Sequence, residues 1–173
     1  MESLIERTRE VLSATPARWA SLTQSLSPEL LSLAPAHKEW SALECLQHLV
    51  DTEYRVFPVR IRAFLAGQDF PGFDPDSQGS PPDAHATAAQ LAAEFARLRE
   101  ASLKLLASVT PADLKRQARH AELGIVSLEE LLHEWAAHDL MHTVQAERAL
   151  MQPFIRGCGP WTSYFADHVA KEK

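Results

Sequence analysis

The chain has 173 residues, enough for one domain with a real core, and 46% of them are apolar, which excludes a disordered or fibrous polypeptide. The net charge is −6 and Lys and Arg are scattered, so no basic cluster stands ready to neutralise phosphates, which argues against nucleic-acid binding. Cys45 and Cys158 are too few and too isolated for a disulfide framework; no apolar leader follows Met1 and no apolar run is long enough to cross a bilayer, so a cytoplasmic protein with no membrane association is expected.

Leu, Ala, Glu and Arg dominate, Gly is scarce and strand-like alternation is almost absent, so the expected class is all-α, with residues 1–173 as one helical domain. The first helix is expected from about Glu2 to Leu26, with Thr15-Pro16 either splitting it by a new cap or kinking it. Ser27-Pro28-Glu29 should start a short turn of helix, and Leu33 to Trp40 reads as a connector. Helix 2 opens at the capping box Ser41-Ala42-Leu43-Glu44 and carries Leu43, Leu46, Val50, Tyr54, Phe57, Ile61 and Phe64 at helical spacing. Pro58 should bend it and Gly67 should stop it. Gln68 to Ala86, rich in Pro, Gly, Asp and Ser, is a crossover long enough for helix 3 to run parallel to helix 2. Helix 3 starts near the box Thr87-Ala88-Ala89-Gln90 and points Leu91, Phe95, Leu98, Ser102, Leu105 and Leu106 inward. Thr110-Pro111 opens another short turn. Helix 4 starts at Ser127-Leu128-Glu129-Glu130 and reaches about Met151; the tail, with Trp161, Tyr164 and Phe165, reads as a short docked helix.

The chemistry gathers on helix 4. His138 and His142, four residues apart, share one helix face, and two imidazoles there can reach one ion. Two ligands hold a metal weakly, so a third is expected from a neighbouring helix. His48, two turns into helix 2, is the best-placed candidate, and Cys45 one turn before it leaves a mixed Cys/His site open. The bland reading is a chance pair, with Cys45 a small core residue. His37, His85, His120, His133 and His168 read as exposed or loop histidines. His133-Glu134 is no zincin motif, because the next histidine lies five residues on, about 140° around the helix. Trp40, Trp135 and Trp161 are expected to serve the core first and a pocket wall second.

The segment from Trp40 to Leu49, with Asp51 and Glu53 after it, resembles the first signature of the DinB-like superfamily. Gly124 to Glu130 leading into His138-Asp139-Leu140-Met141-His142 resembles the second, and Gly159-Pro160-Trp161 with Tyr164 fits the family's tail. The resemblance implies an up-down-down-up four-helix bundle with short accessory helices. It implies a divalent ion, zinc or nickel, near one end of the bundle on His48, His138 and His142. It implies frequent homodimers. Relatives that use low-molecular-weight thiols make a thiol-dependent S-transferase acting on a small electrophile the leading expectation. A hydrolase using water, or a non-catalytic metal-binding stress-response protein, is the alternative. Three neutral imidazoles would leave the ion its full charge and an open position. Glu134, one turn before His138, and Asp139 are the expected groups for orienting a ligand or moving a proton, and Gln145 for touching substrate; the bland reading of all three is a solvated polar edge.

Overall fold

The computed structural model describes residues 3–74 and 86–170. Among the described residues six α-helices are formed, α1 Leu4–Ser25, α2 Pro28–Leu31, α3 Ala42–Arg55, α4 Phe57–Ala66, α5 Ala88–Leu106 and α6 Leu128–Gly157, with a two-stranded hairpin, β1 Gln117–His120 and β2 Gly124–Ser127, ahead of α6. Helix starts follow side-chain capping: Ser3, Ser41, Thr87 and Ser127 each accept from the backbone N–H three residues on, and the residue there returns a bond to the cap. Gly67 ends α4 in the left-handed region at φ 66°, where a side chain would be strained.

Two buried clusters give the direction of every long helix. One holds Leu12 of α1, Phe57 and Phe64 of α4, Leu106 of α5 and Leu132 and Trp135 of α6. The other holds Trp19 of α1, Cys45 and Leu49 of α3, Leu91 and Phe95 of α5 and Ala146 and Leu150 of α6. From the first cluster to the second, α1 and α6 run one way and α3–α4 and α5 the other, which is up-down-down-up. Helix α1 packs on α5 and α6, and α3 packs on the same two, so α1 and α3 are diagonal. The crossover expected between the second and third long helices makes this order possible, although its residues 75–85, His85 among them, lie outside the described residues.

The structure settles or corrects the sequence reading at several places. Of the two readings of Thr15-Pro16, one helix and not two is formed: α1 runs through Pro16, and Thr15 is buried inside the bundle. Instead of bending one helix, the chain breaks at Val56, whose ψ of −79° separates α3 from α4, with Pro58 in the first turn of α4. The hairpin was unexpected; its register pairs Gln117 with Ser127 and His120 with Gly124, and Gly124 supplies a positive φ of 79°. Tyr54, counted on the apolar stripe of helix 2, is 58% exposed, and Trp161 is exposed on the tail, where Gly159–Phe165 forms a 3₁₀ helix. Trp135 alone of the three tryptophans named for the core is fully buried, while Trp40 is half-buried beside the histidines.

At mid-height, between the clusters, lies a polar knot. Arg99 of α5, 1% exposed, makes a bidentate pair with Asp139 (2.7 and 2.9 Å) and a second pair with Glu53 (2.7 and 2.9 Å). Thr15 donates to Asp139 (2.6 Å), while Ser102 (2.6 Å) and the Trp135 indole N–H (3.0 Å) donate to Glu53. Pro16 completes it. Having no N–H, it leaves the Leu12 carbonyl without its helical donor, and Arg99 donates to that oxygen at 2.8 Å.

Candidate metal centre

The packing of α3 against α6 brings three imidazoles to one point. His48 on α3 and His138 and His142 on α6 each offer a ring nitrogen, and these atoms all lie within 4.8 Å of one another. Ring centroids are 4.6 Å apart for His48 and His142, 4.4 Å for His138 and His142 and 5.1 Å for His48 and His138. The cluster stands at mid-height on the α3–α6 face rather than near one end, because His138 and His142 fall near the middle of a 30-residue helix. Cys45, one turn earlier on α3, is fully buried in the second core cluster and is not in the group.

The donor set fits a divalent ion. The Nε2 atoms of His48 and His138 face each other at 3.0 Å. Two nitrogens bound tetrahedrally to one ion stand roughly 3.3–3.4 Å apart, so a small adjustment admits it. Without an ion, one of the two rings must place its proton in that gap. Burial lowers the pKa of His48 to about 4, with His142 contributing, and that of His138 to about 2, with both neighbouring rings contributing. Burial also lowers His142, against the opposing pull of Gln145 and Asp139. All three rings are therefore neutral at physiological pH and offer lone pairs. Gln145 accepts from His142 Nδ1 at 2.9 Å, which turns Nε2 of that ring toward the cluster.

The centre opens into a cavity of about 310 Å³ walled by Trp40, Phe57, Phe73, Met141, Arg60 and Glu134 among others. Trp40 lies nearly parallel to His142 at 5.8 Å, and Phe57 meets His138 edge-on at 5.1 Å while stacking on Trp135. These rings shield one side of the imidazoles from water.

The other residues expected at the site divide. Glu134 shares the cavity with the histidines, and desolvation raises its pKa against the pull of Arg60 at 3.7 Å. Asp139 is 0% exposed and its carboxylate bonds Arg99 and Thr15, which anchors α6 inside the bundle. Gln145 accepts from His142 through its Oε1 and so orients that ring. His120, expected to be exposed, is 6% exposed at the end of β1, its Nε2 3.1 Å from Arg60 Nη2. His37, His133 and His168 are exposed as expected. Sequence reasoning passed over Arg60 and Arg99, and it named Glu53 only within the family resemblance, with no role. Arg99 had a signal, since it lies on the inward stripe between Phe95 and Ser102; Arg60 and His120 had none.

The sequence profile of the DinB superfamily matches residues 12–146. The chain belongs to the DinB superfamily. The match begins within α1 and ends within α6, and it includes the three histidines. Among solved structures, YfiT from Bacillus subtilis superposes with a TM-score of 0.71 at 18% identity, covering 87% of each chain. YfiT is described as a probable metal-dependent hydrolase with an unusual four-helix bundle topology. At that identity the likeness establishes a shared four-helix fold. No curated protein matches the chain. No helix among the described residues of this DinB-superfamily chain is long and apolar enough to cross a membrane.

Proposed function

We propose that this chain is a metal-dependent hydrolase of small molecules that holds one divalent ion, zinc or nickel, on His48, His138 and His142. The convergence of three neutral imidazoles from two helices on one point at the wall of an open cavity carries the reading. His48, His138 and His142 would hold the ion, which would supply Lewis acidity there. The residues do the rest. Gln145 fixes His142 in the tautomer that presents Nε2. Trp40 and Phe57 keep bulk water from one side of the cluster. Glu134, on the cavity wall, takes the proton of the attacking group and returns it to the leaving group, and desolvation, which holds its pKa above the ordinary carboxylate value, makes it a better proton acceptor.

That carboxyl favours water over a thiol as the nucleophile. A thiol, with an ordinary pKa of about 8.5, loses its proton readily beside a cation, whereas water gains far more from a positioned acceptor. The description of YfiT as a hydrolase agrees. Thiol-dependent S-transfer is the second reading, favoured by the apolar wall of Trp40, Phe57, Phe73 and Met141, which suits a small apolar electrophile. The thiol would be a cosubstrate, since Cys45 is sealed in the core and Cys158, at the end of α6, is not among the residues lining the cavity.

A panel of esters and amides, run beside thiol–electrophile pairs, separates the two. Hydrolysis should be detected, and Glu134→Gln should lower kcat by about 10²–10⁴ while leaving metal content unchanged. Thiol-stimulated consumption of an electrophile, with no ester or amide turned over, would transfer the assignment to the second reading.

A further inference from the structure

A second cavity of about 310 Å³ adjoins the first and shares Arg60, Phe73 and Glu134 with it. Its deep wall is built by Arg60 of α4, 8% exposed, and His120 of β1, 6% exposed. Their hydrogen bonding does not close. His120 Nδ1 accepts the backbone N–H of Glu122 at 3.1 Å and of Leu123 at 3.3 Å, so that nitrogen carries the lone pair. The ring's proton is therefore on Nε2, which faces Arg60 Nη2, itself a donor, at 3.1 Å. Glu134 is 3.7 Å from Arg60, beyond hydrogen-bond reach, and among the described residues no carboxylate or carbonyl bonds that guanidinium. Two buried donors thus converge on the cavity while its carboxylates stay beyond hydrogen-bond reach of them, an arrangement that costs free energy until an acceptor comes closer.

The geometry points to a carboxylate-binding subsite, in which one oxygen of the substrate's carboxylate accepts from Arg60 and from His120 Nε2–H while its reactive end lies at the histidines. Burial lowers the Arg60 pKa despite Glu134 and Glu122, the mark of a cation with too little compensation. Phe70, Leu123 and Val126 provide an apolar wall for the substrate's carbon frame. The acidic groups on the rim limit the ligand's charge. Glu130 is held by its cap to Ser127 at 2.6 and 2.8 Å, but Glu122 and Glu134 face the cavity and repel a phosphate dianion more than a carboxylate. The subsite rests on the metal-centre reading only for what the carboxylate is attached to.

Calorimetric titration with benzoate, benzamide and inorganic phosphate tests it, on protein as purified and after chelation. Benzoate should bind in both states, about tenfold or more tighter than benzamide and tighter than phosphate. Arg60→Gln should abolish the preference, and Arg60→Lys, which keeps the charge but loses the planar fork, should retain part of it. His120→Phe should weaken benzoate, with circular dichroism confirming the fold. Equal binding of benzoate and benzamide, or benzoate binding untouched by Arg60→Gln, would overturn the subsite. Tighter phosphate would overturn the carboxylate assignment. Benzoate lost in His142→Ala but kept in Arg60→Gln would place the anion on the metal centre and overturn it as well. A chain that carries no ion yet still binds benzoate through Arg60 would refute the metal reading alone.

Discussion

A hydrogen bond of 2.9 Å from His142 Nδ1 to Gln145 decides which nitrogen of that ring faces the cavity. Gln145→Leu removes the acceptor and lets the ring turn over. Metal affinity, read by competition with a chromophoric chelator, should fall about 10–100-fold with the melting temperature of chelated protein little changed. Unchanged affinity would return Gln145 to the polar edge. Cys45 behaves oppositely, as a group the fold silences. Burial, with Glu44 adding to it, pushes its thiol from the ordinary 9.0 up to about 12. The native state holds that proton more tightly than the unfolded chain. Its contribution to stability is therefore whole below about pH 9 and is lost as pH climbs toward about 12. A thiol reagent at pH 8 should modify Cys158 alone in native protein and both cysteines in denaturant; a second fast thiol in native protein would contradict this. At this scale the sequence spoke clearly only through spacing. Four residues between His138 and His142 fix a shared helix face, whereas the ring that Gln145 would meet, or the core that would receive Asp139, depends on packing that no local pattern encodes.

Among elements, capping chemistry was the most legible, because Ser41, Thr87 and Ser127 with their third-position partners act within one turn of chain. The break between α3 and α4 was half legible: Pro58 announced a disturbance, but the interruption falls at Val56, where Pro58 can occupy a first turn that needs no N–H. The hairpin escaped notice because its strands are four residues long and one of them reads Gln-Ala-Arg-His. Four helices meet at Arg99, which links Leu12 and Thr15 of α1, Glu53 of α3 and Asp139 of α6. Arg99→Met fills the space but strands two buried carboxylates without a counter-charge. Unfolding in urea should show a loss of about 3–5 kcal/mol; a loss under about 1 kcal/mol would mean that the knot is dispensable to the fold.

For the molecule as a whole, the up-down-down-up order sets α3 beside α6, and that adjacency places His48 against His138 and His142. The bundle itself was foreseeable from four amphipathic segments and one long crossover. The height of the histidine cluster was not, since it follows from how far α6 extends past Trp135 before Ala146 re-enters the core. An ion held across α3 and α6 binds the folded chain only, so saturation at a hundredfold excess over its Kd would add about 2.7 kcal/mol. The most direct test of the metal centre is elemental analysis of purified protein beside its His48→Ala variant, which removes the single imidazole that α3 contributes. About one divalent ion per wild-type chain and a small fraction of that in the variant is the expected result. A wild-type chain without metal, or a variant that retains as much, would contradict the assignment of these three histidines.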